Sequence, residues 1–252
     1  MYSSILSGSP AVERVWLGDS IVDPIVGHRS DPLLNADLVF TFVDGSCAVA
    51  LQGPVTRRLV YPFREDAQYV GVRFRPGTGS VSAEAAVAEI CDDKIPVTRL
   101  AGLDLEALCD ALSATPHLVD KGRLVQDAVH RSVLSTRSPS PLVAAALARF
   151  NTGVGEIRVG QLAADLGVTE RTLQRHFHAH LGISPKHAAR LLRIERLKAT
   201  LDRPDPPADW SLAVLASTAG YFDQSHMTND VARILGITPT TLASERCPQP
   251  EV

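Results

Sequence analysis

One pattern occurs twice in this chain, 54 residues apart, and it restricts the possible folds more than any other feature. In residues 159–185, VGQLAADLGVTERTLQRHFHAHLGISP, the residues Leu162, Ala163 and Leu166 share one helical face. Gly167 then supplies a turn, and Thr169 is placed to cap a second helix. In that helix Leu173, Phe177 and Leu181 recur every four residues as an apolar stripe, leaving Arg171, Gln174, Arg175 and His178 on the opposite side. The same order returns in residues 212–239, LAVLASTAGYFDQSHMTNDVARILGITP. There Leu215, Ala216 and Ala219 form the first face, Gly220 the turn, Asp223 the cap, and Met227, Val231 and Leu235 the stripe. Aligning LGISP (181–185) with LGITP (235–239) fixes the offset, and the pair predicts two helix-turn-helix units.

A surface that meets nucleic acid needs cations, yet the net charge is -3. The sum hides opposed regions. Residues 1–140 hold 13 Lys+Arg against 17 Asp+Glu, residues 141–201 hold 9 against 4, and residues 202–252 hold 3 against 7, giving -4, +5 and -4. The basic stretch contains the first unit and is where a phosphate-binding face is expected.

The first hundred residues read as β: LVFTFVDG (38–45), CAVALQG (47–53) and YVGVRFRPG (69–77) are short, β-branched or aromatic, and closed by Gly or Pro. In the last of these Val70, Val72 and Phe74 alternate with Gly71, Arg73 and Arg75, which predicts one apolar and one cationic face. From Asp104 the period lengthens. Leu105, Leu108 and Leu112, then Leu118, Val125, Val129 and Val133, predict two amphipathic helices. STRSPSP (135–141) reads as a linker, and beyond it helices are expected at 141–150, 159–166, 170–180, 185–201, 211–219 and 224–235, interrupted by RPDPPAD (203–209). The expected class is α+β: a mostly β domain with terminal helices over 1–137, and an all-α domain over 138–252.

The motifs LAADLGVTERTLQRHF, LGISP followed by Arg193, and GYFDQSH with LGITP carry a resemblance. Through them residues 141–244 resemble the DNA-binding domain of AraC/XylS-family transcription regulators. The resemblance implies two helix-turn-helix units joined by one long helix, here about Pro185 to Leu201, presented to successive major grooves of double-stranded DNA. It implies base reading by Arg171, Thr172, Gln174 and Arg175 in the first unit, and by Gln224, Ser225, Thr228 and Asn229 in the second. Arg190, Arg193 and Lys198 are the implied phosphate contacts. The second unit departs from the family pattern at Asn229 and Val231, and Asp223 and Asp230 add negative charge to its second helix, so the first unit is expected to dominate affinity. VGVRFRPG, preceded by LVFTFVDG and QGPVTR, is similar to the β-rich sensor domains of some family members, which implies a small-molecule effector or a homodimer. Arg73 and Arg75 are the weak effector candidates, against a salt-bridged strand face. RNA polymerase is a further implied partner, and activation and repression both stay open.

Other chemistry finds less support. His176, His178 and His180 invite a metal, but no nearby Cys or carboxylate completes a site, so no cofactor is expected. RFRPGTG (73–79) lacks the Gly-Lys-Ser/Thr ending of a phosphate-cradling loop. No Ser/His/Asp or Cys/His grouping suggests an enzyme, and His28, the one His before residue 117, is too few for a metal-dependent β-barrel enzyme. Cys47, Cys91, Cys109 and Cys247 show no C-x-x-C spacing, and no apolar run is long enough for a membrane span, so a soluble cytoplasmic protein is expected. The alternative to a DNA reader is a small-molecule-binding β protein whose helical domain serves protein contacts, a reading kept open by the acidic second unit.

Overall fold

The computed structural model describes residues 3–6, 9–19, 28–61, 66–78, 87–100, 102–132, 138–152, 158–203 and 211–246. Residues 135–137 of the expected linker, 204–209 of the expected loop and Val133 fall outside these residues, as does Cys247.

The N-terminal part is β-rich, as its alternation predicts. Its strands are β1 (Ser3–Leu6), β2 (Val12–Asp19), β3 (His28–Ser30), β4 (Asp37–Val43), β5 (Ser46–Gln52), β6 (Leu59–Tyr61), β7 (Gln68–Phe74), β8 (Lys94–Pro96), β9 (Arg99–Leu100) and β10 (Leu103–Asp104). Six of them form an antiparallel sheet in the order β1-β2-β7-β4-β5-β8. The β4–β5 hairpin turns on Asp44 and Gly45, with φ of 50° and 76°, the two positive values that a two-residue turn matched to strand twist requires. Leu38, Phe40, Val70, Val72 and Phe74 build one buried face. It is covered by α1 (Leu105–Ser113) and α2 (Leu118–Arg131) through Leu105, Leu112, Val125 and Val129. The other face of β7 is not an open cationic surface. A Cβ on Gly71 would lie 2.0 Å from the Trp16 ring, so the indole lies directly on the glycine backbone. Cys47 of β5 and Cys109 of α1 meet with sulfurs 3.1 Å apart, a pairing their sequence spacing does not reveal.

The C-terminal part is helical: α3 (Pro141–Thr152), α4 (Val159–Asp165), α5 (Glu170–Leu181), α6 (Pro185–Leu201), α7 (Leu212–Thr218), α8 (Gln224–Leu235) and α9 (Pro239–Arg246). Each repeated five-residue motif stops one helix and starts the next. Gly182 and Gly236 end α5 and α8 in the left-handed conformation, both at φ 70°. Ser184 and Thr238 then accept hydrogen bonds from the amides of His187 and Thr241, and a proline follows each cap as the first helical residue. The second motif thus opens α9, a helix absent from the sequence expectation, whose last expected helix is 224–235.

The two parts are joined by ion pairs. Asp31 lies 2.9 Å from Arg58 Nε, 2.9 Å from Lys198 Nζ of α6 and 3.0 Å from Arg246 Nη2 of α9. Arg58 also meets Glu245 at 3.0 Å, and its amide donates to the Ile234 carbonyl. Burial alone would raise the Asp31 carboxyl, but Lys198 and Arg58 more than offset it and hold it below its ordinary value. Its stabilisation is therefore fully present above the unfolded carboxyl value near pH ~4 and is lost as pH falls through the lower folded value. Asp31→Ala is expected to cost about 1–3 kcal/mol in denaturant unfolding at neutral pH. The gap from wild type should narrow as pH falls below the ordinary carboxyl range, and a gap independent of pH would contradict the ion-pair account.

Candidate nucleic-acid interface

The first unit consists of α4 and α5. The Thr169 hydroxyl accepts from the Thr172 amide at 3.1 Å and caps α5, while Gly167 turns the chain at φ 69°. Leu173, Phe177 and Leu181 are buried, with the Phe177 ring edge-on to Phe150 at 6.3 Å. This fixes the rotation of α5 and turns Arg171, Gln174, Arg175 and His178 outward, where all four are exposed. Gln174 donates to Glu170 at 3.0 Å across one helical turn. Thr172 differs from its expected place: it is half-buried, and its hydroxyl is shared with Thr169 in the cap.

The second unit, α7 and α8, follows the same logic. Asp223 accepts from the His226 amide at 2.7 Å, and Met227, Val231 and Leu235 are buried. Gln224, Ser225 and Asn229 are exposed, and so is Arg233, four residues beyond Asn229 on the same side. Thr228 is half-buried, its hydroxyl donating to the Gln224 carbonyl at 2.9 Å. The 54-residue offset holds only from the caps onward. The turn after α4 spans 166–169, whereas that after α7 spans 219–223, one residue more.

Several expectations are corrected by the packing. Asp230 does not charge the reading face: it is 4% exposed and faces α6, with Arg193 Nη2 at 3.4 Å, Arg190 Nε at 3.5 Å and His226 Nε2 at 3.7 Å. Asp223 is occupied as a cap. Arg193, expected to meet phosphate, is 5% exposed and lies beneath the Tyr221 ring at 5.2 Å from its centroid, so its charge serves the interior. Arg190 is half-buried beside Asp230, and Lys198 is engaged by Asp31. Burial comes first among the causes that push the Tyr221 hydroxyl above its ordinary value, and the Asp230 charge adds to it. In the β part, Arg73 is held by Asp37 through two bonds of 3.0 and 2.8 Å, so its guanidinium is committed to the sheet, while Arg75 is exposed. His176 and His180 stack at 5.9 Å, and among the described residues no three metal-ligating groups come together. The sequence reading passed over Phe222, which is 87% exposed immediately before the α8 cap.

Fold and site define the class: a DNA-binding transcription regulator with paired helix-turn-helix units. Residues 162–245 match the helix-turn-helix domain family, and this segment is a domain of the AraC type. No curated protein matches the chain significantly. Among solved structures, that of apo ToxT from Vibrio cholerae covers 96% of this chain and 100% of its own, at 8% identity and TM-score 0.50, and shares the overall fold. A transcriptional regulator from Chromobacterium violaceum, of the group containing AraC-type DNA-binding domains, is 23% identical over 44% of this chain and 96% of its own, at TM-score 0.38. The DNA-binding domain of AdpA, crystallised with a target DNA, is 24% identical over 44% of this chain and 95% of its own, at TM-score 0.36. No helix among the described residues is long and apolar enough to cross a membrane.

Asp230→Ala leaves Arg193 buried without its carboxylate and is expected to destabilise the protein by about 3–5 kcal/mol. Arg193→Ala should likewise act on stability. Unchanged melting temperatures for both would refute the buried-pair assignment.

Proposed function

We propose that this protein binds double-stranded DNA in a sequence-specific manner, placing α5 and α8 in neighbouring major grooves. The observation that carries the reading is the division of both helices into a buried stripe and an exposed polar face rich in base-pairing side chains. Arg171 and Arg175 suit guanine, which offers two acceptors in the major groove, and Gln174 suits adenine. In α8, Gln224, Ser225 and Asn229 read through amide and hydroxyl groups. Thr172 and Thr228, whose hydroxyls serve local bonds, contribute less. Phosphate contact falls to the exposed Arg233, because Arg190, Arg193 and Lys198 are engaged within the protein.

The division near residues 137 and 138 separates this reader from a regulatory β-rich domain. Asp31 and Arg58 give that domain direct contact with α6 and α9, a route by which a small effector or a homodimer contact can alter the second unit. Recruitment or obstruction of RNA polymerase is the expected output. The competing reading, a helical domain reserved for protein contacts, rested on the acidity of the second unit; the burial of Asp230 against α6 and the capping bond of Asp223 favour the DNA reading over it.

Selection of bound duplexes from a randomised library is expected to return a site with two determinants about 34 Å apart along the DNA, one helical turn. Arg175→Ala should cost about 1–3 kcal/mol and relax preference at one position, whereas Arg233→Ala should weaken all sequences alike and reduce the salt slope by about one. Equal, sequence-independent losses from both variants would overturn the base-reading assignment.

A further inference from the structure

The two helix-turn-helix turns begin identically and then diverge by one residue. In the first, the amides of Gly167 and Val168 donate to the carbonyls of Ala164 and Ala163. In the second, those of Gly220 and Tyr221 donate to Ser217 and Ala216. Both glycines have positive φ, 69° and 82°. After Val168 the first unit proceeds directly to its cap, Thr169, whereas after Tyr221 the second inserts Phe222 before its cap, Asp223. Tyr221 therefore takes the place of Val168 against the helical core and is 4% exposed, and the inserted Phe222 is displaced outward.

A hydrophobic residue just before a helix cap commonly packs on the fourth residue of the helix. Here that residue is Met227, which is fully buried while Phe222 remains 87% exposed, so this packing is not made. Among the described residues no other large apolar side chain is as exposed; the next, Val60, reaches 60%. Phe222 is followed by Asp223, Gln224 and Ser225, all exposed and polar, so the residues that follow it in the chain do not extend its apolar surface. Its position is the entrance of the second recognition helix, whose first residues meet base edges in this class of domain.

We propose that Phe222 is a specificity-determining residue of the second unit, placing its ring against the 5-methyl group of a thymine in the major groove. The inference rests on the DNA-reading function proposed above. A phenyl ring offers no hydrogen bond, and thymine is the base that presents a methyl group in the major groove, so apolar contact selects thymine. The contact also suits a helix whose neighbouring readers, Gln224, Ser225 and Asn229, carry no charge. Asp223 does not oppose it, since its carboxylate is turned to the His226 amide.

The test uses the full chain and the duplex site selected from a randomised library. Each thymine in the half contacted by α8 is replaced singly by deoxyuridine, which removes only the methyl group. Wild type is expected to lose about fourfold in affinity at one such position, the factor corresponding to about 0.8 kcal/mol for one buried methyl-sized group. Phe222→Ala should bind the thymine and uracil duplexes equally, with an unchanged melting temperature because the side chain lies outside the core. A selected site at which no thymine in that half is methyl-sensitive would overturn the inference while leaving the DNA-reading function intact. Full methyl sensitivity in Phe222→Ala would do the same. Failure to select any site would remove the DNA-reading function itself, and it would do so before the uracil comparison.

Discussion

The relative placement of the two reading helices depends on a buried carboxylate. Asp230 projects from α8 into α6, where Arg193 and Arg190 receive it and His226 closes the group from its own helix. An isolated charge at 4% exposure would be prohibitive, and the arrangement is tolerable because each charge meets its opposite. Such pairs contribute less to net stability than to geometry: an apolar substitute can slide along a helix, whereas a carboxylate between two guanidinium groups has few acceptable positions. The linking helix supports this role. Leu191, Leu192, Ile194, Leu197 and Leu201 are all buried, so α6 contacts the core around much of its circumference and holds both units.

The junction with the β-rich part uses charge differently. Asp31, Arg58, Lys198, Glu245, Asp202 and Arg246 form a chain of pairs at partial exposure. Pairs in that setting are weaker than the Asp230 group and more open to salt and pH. Contact along this surface is therefore easier to release than the contact between the two reading units. The coupling proposed between the two parts would need this ordering, with a firmer helical part and a looser joint.

Most of the local structure was legible from sequence, because helix caps and apolar stripes are short-range. Thr169 and Asp223 each satisfy an amide three residues ahead, and the stripes of α5 and α8 lie as their fourfold spacing requires. What escaped depends on distant residues. Asp230 and Arg193 are 37 positions apart, and Asp31 and Arg246 are 215 apart; no periodicity connects them, so Arg193 and Lys198 read as free cations. α9 was missed for a local reason, since Pro239 ends one pattern and also opens the next helix. Phe222 was obscured by the alignment itself: anchoring the repeat on LGISP and LGITP places the caps in register and conceals the extra residue before the second one.

With the charges assigned, the DNA-reading function proposed above gives the two units different forces to apply to DNA. The first presents Arg171 and Arg175 within the basic stretch, so its binding draws on counterion release and weakens steeply with salt. The second presents Gln224, Ser225 and Asn229, with Phe222 at its entrance and Arg233 as its exposed cation. Amides, hydroxyls and an aromatic ring add little long-range attraction, but each is sensitive to which base it meets. On that proposed function, association would be steered by α5, and α8 would discriminate among the sites α5 has already reached. Because α6 holds both helices, a mismatch under α8 would not be relieved by rotating one unit, and it would weaken the proposed complex as a whole.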